Sequence, residues 1–140
     1  MGLSSSKLGQ HKLLATPEIR GNMETWLFNG LLLRIIDTPT RTLAFFNNSK
    51  DYEFHITYLL KAGSGVQPLD KTALKSQSDG VRCEVVVYPL KTQRFIVGNV
   101  GSHESKIEAL PLSDNYFRSH PNINERAYHR RLMPPSASWF

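Results

Sequence analysis

Hydrophobic and polar residues alternate along much of this chain. Residues 52–60 show it most clearly. Tyr52, Phe54, Ile56, Tyr58 and Leu60 share one face, and Glu53, His55, Thr57 and Leu59 share the other. Successive side chains of a strand point to opposite sides, so this pattern predicts a strand with one buried face. Upstream, Trp26–Ile36 is the most apolar stretch. Within it, Leu31–Ile36 predicts a central strand buried on both faces, and Asn29-Gly30 predicts a tight hairpin turn or a bulge. Pro39 fixes its own φ and biases Thr38 to extended geometry, so residues 37–40 form a turn. Arg41–Phe46 is the next strand and Asn47–Asp51 the next turn. Residues 62–80 are rich in Gly, Ser, Lys and Asp and predict a loop, with a short strand near Thr72–Leu74. Further strands are expected at Arg82–Tyr88, Gln93–Val97, Lys106–Leu110 and Asn115–Arg118.

No segment carries an amphipathic helical pattern, and strands recur about every ten residues. Parallel strands need crossover helices, so the expectation is an all-β protein, an antiparallel β-sandwich. Three regions follow: a flexible arm over residues 1–22, a sandwich domain over 23–120, and a polar, basic tail over 121–140, read as loosely ordered. A chain of 140 residues is one domain's worth and can bury a core without disulfides or metal.

The net charge of +5 is spread thinly, with no basic stripe, so nucleic acid is not expected as a partner. A single cysteine, Cys83, argues against a disulfide framework. No apolar run approaches the length of a transmembrane helix, and the start lacks a signal-peptide core.

The chemistry concentrates at the start, Met-Gly-Leu-Ser-Ser-Ser-Lys. Removal of Met1 exposes Gly2, with Ser6 at the serine position of the N-myristoylation pattern and Lys7 behind it. Glycine is required because only it leaves the attacking amine unhindered, and small neighbours let the segment thread a narrow groove. The expected group is a covalent myristate on Gly2, with no other cofactor. One C14 chain gives reversible membrane binding, with a partition constant on the order of 10⁴ M⁻¹. Leu3 occupies the place where a second, palmitoylated cysteine would stand. Lys7 and Lys12 add a modest attraction to anionic lipid, about 1 kcal/mol each.

No catalytic or metal constellation emerges. Cys83 lies in a predicted strand between Arg82 and Glu84, which suits a packed thiol and not a nucleophile at a helix start. His11, His55, His103, His120 and His129 share no metal-ligand spacing. Asp37, Asp51, Asp70, Asp79 and Asp114 occur singly in their loops, without the converging carboxylates that calcium needs. Arg126, Arg130 and Arg131, with Tyr128 and His129, form the densest basic patch. It reads as a solvated tail or as a contact for anionic lipid or a partner, and Trp139-Phe140 ends the chain.

Five stretches carry a family resemblance. They are Asn-Gly-Leu-Leu-Leu-Arg at 29–34, Leu-Ala-Phe-Phe-Asn-Asn at 43–48, Tyr-Glu-Phe-His-Ile at 52–56, Val-Val-Val-Tyr-Pro-Leu-Lys-Thr at 85–92, and Phe95 with Gly98. Together they resemble the domain of the calpain-related proteins of kinetoplastid parasites, and a myristoylation signal before one such domain resembles the small myristoylated proteins of Leishmania. The resemblance implies a sandwich like the third domain of calpain, no protease domain, and membrane association through the acylated start. It also implies residence at the cytoplasmic face of the plasma membrane, the flagellar membrane or the flagellar pocket. Doubly acylated relatives carry cysteine after Gly2, where this chain has Leu3.

The expected function is a non-enzymatic, myristoylated peripheral membrane protein, a structural or adaptor component. Its partners would be inner-leaflet lipids and a membrane or cytoskeletal protein, the chain itself being a monomer. The competing expectation is a β-fold that binds a lipid or acyl chain and shuttles between membrane and cytosol. A filled core favours the first and a hollow one the second.

Overall fold

The computed structural model describes residues 11–132. Nine strands form two sheets. The elements are β1 (Met23–Leu27), β2 (Leu32–Asp37), β3 (Thr42–Asn47), β4 (Tyr52–Lys61), β5 (Gly65–Pro68), β6 (Ala73–Gln77), β7 (Gly80–Val87), β8 (Thr92–Asn99) and β9 (His103–Pro111). Two helices follow, α1 (Asp114–Ser119) and α2 (Glu125–Leu132). One sheet has the order β1-β2-β3-β8-β5 and the other β6-β7-β4-β9. The chain falls into two compact units, one up to Leu110 and the other from Pro111.

The sheets face each other across one core, which makes the first unit an antiparallel β-sandwich. Leu32, Leu43, Phe45, Val66, Phe95 and Ile96 come from the first sheet, and Phe54, Ile56, Tyr58, Leu60, Cys83, Val85 and Val87 from the second. The alternation in β4 works as expected from Phe54 onward: Phe54, Ile56, Tyr58 and Leu60 are buried, while Leu59 is exposed. Phe45, Tyr58 and Phe95 meet edge to face, with ring centroids 5.1 to 6.4 Å apart. Such tilted contacts place ring edges on ring faces, the favourable quadrupole arrangement. The register between β3 and β8 shifts between Leu43 and Ala44. That irregularity lets the consecutive Phe95 and Ile96 both turn into the core.

The strand at 31–36 is buried on both faces, as its apolar run predicts. Leu32 and Ile36 point at the other sheet, and Leu33 and Ile35 point outward. The outward face is covered by residues 11–22. This segment lacks helix and strand, yet Leu13, Ala15 and Ile19, with Trp26, pack on Leu33, Ile35, Ala44 and Phe46. The described part of the expected arm is thus a strap over the sheet; residues 1–10 lie outside the described residues. The physical reason is the second apolar face of β2 and β3, which would otherwise meet water.

Asn48 ties the strap down. Its side-chain N–H groups donate to Lys12 O and Gly30 O at 3.0 Å each, and its Oδ1 accepts the Leu14 N–H at 2.8 Å. Its neighbour Asn47 donates to Tyr52 O at 2.8 Å and to Val87 O at 2.9 Å, which joins the two sheets. Both asparagines are buried. At the far end of the strap, Asn22 Oδ1 accepts the Thr38 N–H at 2.9 Å.

Several sequence expectations need correction. Asn29-Gly30 does lie in the turn of the antiparallel β1–β2 hairpin, but that turn spans the four residues between Leu27 and Leu32 and is not a tight two-residue one; Phe28 and Asn29 in it are left-handed, with φ of 53° and 52°. The loop 62–80 contains β5, an edge strand too short to show periodicity. Glu53 shares the solvent-side parity of β4 but is 2% exposed, with its carboxylate 2.6 Å from His55 Nε2. Asn115–Arg118 is helical, not extended. Ser113 caps α1 by accepting the Tyr116 N–H, and Asp114 lies in the first turn. The tail read as loosely ordered holds α2, started by Asn124, whose Oδ1 accepts the Ala127 N–H at 2.9 Å. Tyr128 anchors that helix: it is 2% exposed, its hydroxyl accepts the Leu112 N–H at 2.8 Å, and its ring meets Phe117. A short polar cap with two buried aromatics in α1, Tyr116 and Phe117, and one in α2, Tyr128, replaced the longer apolar stripe that a sequence search requires.

Two outcomes are expected. Asn48→Ala removes three hydrogen bonds, one buried and two part-buried, so it should destabilise the protein by roughly 2–4 kcal/mol in denaturant melts. Asp70 is held below the ordinary carboxylate range by its hydrogen bonds to Arg94, whose guanidinium lies 2.9 Å away. A lowered folded pKa gives stability above the unfolded value that is lost as pH falls through the folded one. Asn tolerates the left-handed backbone of Asp70, φ 50°, so Asp70→Asn removes the charge and one of the two acceptor oxygens that Arg94 uses without straining the backbone. The stability gap to wild type should be constant above about pH 5 and narrow below about pH 4.

Candidate functional site

A shallow, largely apolar hollow opens between the sheets at one end of the sandwich. It has a volume of about 450 Å³. Tyr58, Leu43, Ile36 and Val100 supply ring and aliphatic surface, and Arg34, Arg41 and His103 supply the polar groups. No acid contributes to its lining. The strand periodicity explains Arg34: it lies between Leu32 and Ile36 on the inward face of β2, so its side chain enters the sandwich. Arg41 follows from turn geometry. It is left-handed, φ 56°, and closes the β2–β3 turn by donating its N–H to Thr38 O at 3.2 Å. His103 begins β9 and lies flat on Tyr58, with ring centroids 4.9 Å apart and planes 7° apart.

The electrostatics are one-sided. Arg34 Nε is buried and makes no hydrogen bond among the described residues. A buried donor without an acceptor costs free energy, and a carboxylate or phosphate oxygen would satisfy it. Burial pushes the Tyr58 hydroxyl above its ordinary pKa, while the adjacent Arg34 charge and its hydrogen bond to Tyr58 act in the opposite direction. The site can therefore hold an anionic head group over an apolar body. It offers no nucleophile paired with a base.

Other candidates resolve as follows. Gly2, Ser6 and Lys7 lie outside the described residues. Lys12 is exposed at the start of the strap. Cys83 is buried on β7, and burial pushes its thiol upward, away from the reactive thiolate. Among the described residues, no group of three or more His, Cys, Asp and Glu is placed to hold a metal ion. Arg126, His129, Arg130 and Arg131 are exposed on α2, and the Arg131 guanidinium lies 5.6 Å from the centre of the Tyr128 ring. No described helix is long and apolar enough to cross a membrane. Sequence reasoning missed Arg34, Arg41 and His103 as a group. The available signal was a lone arginine inside an otherwise apolar strand.

A family model described as a domain of unknown function, DUF1935, matches residues 13–112. The chain belongs to that family. The match begins at Leu13, so it takes in the strap as well as the sandwich. Among solved structures, the chain is similar to the small myristoylated protein SMP-1 from Leishmania major. The two are 35% identical with a TM-score of 0.76, over 86% of this chain and 96% of that one. A hypothetical protein from Leishmania major is 32% identical with a TM-score of 0.69, over 76% of this chain and 96% of that one. No curated protein matches. This DUF1935 domain thus shares its two-sheet architecture with the Leishmania structures.

Replacing Arg34 by Met removes the buried, unpaired Nε donor together with the guanidinium's hydrogen bond to Tyr58, and keeps the side-chain stem. The variant should unfold within about 1 kcal/mol of wild type, or later, in thermal or denaturant melts. A loss well beyond 2 kcal/mol would show that Arg34 supports the fold itself.

Proposed function

We propose that this DUF1935 protein is N-myristoylated on Gly2 and acts as a non-enzymatic, peripheral component of an inner-leaflet membrane. The observation that carries the reading is the coincidence of two features. The chain starts Met-Gly-Leu-Ser-Ser-Ser-Lys, and its likeness to a protein named for its myristoylation extends over most of both chains. The filled core supports a tethered structural or adaptor role over a shuttle, because Phe45, Phe54, Ile56, Phe95 and Val87 leave the centre of the sandwich occupied. Attachment through one acyl chain, Lys7 and Lys12 is reversible, which suits a component that exchanges between membrane and cytosol. The calpain-related character, the plasma or flagellar membrane or flagellar pocket as the place of residence, and a membrane or cytoskeletal protein as the partner of a single copy belong to this proposal as its finer parts.

A second reading rests on the pocket at Arg34. An anionic amphiphile, with its head group on Arg34 and Arg41 and its tail on Leu43 and Tyr58, fits that lining. Such a ligand would be carried at the end of a filled sandwich and not within a hollow one.

Gly2→Ala should move the protein from the membrane to the soluble fraction, and intact mass should show loss of a myristoyl adduct. Native protein with an unmodified glycine would refute the first reading. For the second, dodecyl phosphate should shift the amide resonances of residues 34, 41 and 103 in wild type and not in Arg34→Met.

A further inference from the structure

The three connections at the other end of the sandwich, opposite the Arg34 pocket, are Phe28–Gly30, Asn48–Asp51 and Tyr88–Lys91. Backbone and side-chain bonds gather them: Asn48 N donates to Leu31 O at 2.8 Å, Asn47 N donates to Lys91 O at 3.0 Å, and Asn48 Nδ2 donates to Gly30 O at 3.0 Å. The strap starts here too. Asn48 holds Lys12 and Leu14, and His11 lies against Trp26 at 5.3 Å and beside Gly30. The chain therefore leaves the described sandwich at this end, nine residue steps after Gly2. Fully extended, those steps reach about 30 Å.

This end also presents apolar side chains to solvent. Leu14 is 46% exposed and Phe28 is 41% exposed. Phe28, Asn29 and Gly30 have consecutive positive φ of 53°, 52° and 93°. A left-handed backbone at an aromatic residue is unfavourable and persists only where its surroundings hold it. Here Phe54 abuts one side of the Phe28 ring, centroids 5.1 Å apart, and leaves the rest projecting. Lys12, Lys50 and Lys91 are exposed at the same end, where the acids include Glu18, Asp51 and the buried Glu53. A partly exposed aromatic with exposed lysines at the same end, where the chain leads to its acyl attachment point, is complementary to the interface of an anionic bilayer.

We propose that the sandwich stands on an anionic inner leaflet on this end, with Phe28 and Leu14 entering the head-group region and Lys12, Lys50 and Lys91 over the lipid phosphates. The proposal rests on the reading that Gly2 is acylated, and it assigns the second membrane contact that one acyl chain requires. It also fixes orientation: the Arg34 pocket then opens toward the cytosol.

The test uses the myristoylated full chain and phosphatidylcholine vesicles containing phosphatidylserine. Phe28→Ser should lower the vesicle partition constant about five- to thirty-fold, the effect of withdrawing a partly buried aromatic from lipid. Leu59→Ser, on the outer face of the second sheet, should leave it unchanged. Lys50→Gln with Lys91→Gln should weaken binding at low salt and not at high salt. Independently of any variant, a nitroxide-labelled lipid should broaden the amides of residues 28–30, 48–51 and 90–91 before those of 38–41 and 62–64. If wild type binds but Phe28→Ser and Leu59→Ser match it, or broadening favours 38–41 and 62–64, the orientation is overturned while acyl anchoring stands. If myristoylated wild type does not bind, or binds no better than Gly2→Ala, the acylation reading fails and the orientation falls with it.

Discussion

A strand has two faces, and in β2 and β3 both are apolar. The second sheet covers the inner faces, where Leu32, Leu43 and Phe45 lie. The outer faces, with Leu33, Ile35, Ala44 and Phe46, require a second cover, and the strap at 11–22 supplies it. An irregular segment brings no ladder of its own, so its backbone groups need other partners. Asn48 provides them at one end, and at the other the Asn22 side chain fastens the strap to the β2–β3 turn by accepting the Thr38 N–H, through bonds that span 16 to 36 residues of sequence. The polar clamp and the apolar cover depend on each other. Without the burial the amides would not order the strap, and without the amides its peptide groups would remain with water.

The same clamp decides where the amino-terminal arm starts. Because Asn48 closes the β3–β4 turn, Lys12 and Leu14 are held at the end of the sandwich where Phe28 projects. The other end is built from the 38–41 and 100–102 connections, and there Arg34 enters the core side of β2. The two ends of one sandwich therefore carry opposite chemistry: exposed apolar surface with lysines at one, and an apolar hollow with two arginines at the other. Polarity of this kind suits a protein that meets a bilayer with one end and an aqueous partner or ligand with the other.

The second unit stabilises short helices by other means. α1 and α2 are too short to hold by propensity, and each relies on a side-chain cap and on the buried ring of Tyr116, Phe117 or Tyr128. The basic residues of α2 consequently occupy fixed helical positions, with His129, Arg130 and Arg131 in the last turn where cations complement the helix dipole.

The sequence by itself determined the strand-rich architecture. Period-two alternation in β4, the valine run of β7 and the turn residues between strands are local facts, and local sterics suffice to read them. It also determined that β2 would be buried on both faces, since no polar side is available except at Arg34. Only the tertiary structure decided what covers that strand, because nothing in residues 11–22 announces a partner 34 or 36 residues away. Glu53 likewise belongs to the solvent side by parity, yet it is buried beside His55, because burial at a strand end depends on what folds over it. The grouping of Arg34, Arg41 and His103 is of the same kind. One comes from a strand interior, one from a left-handed turn and one from the start of β9. Their proximity follows from sheet packing and register, long-range properties that no window of sequence contains.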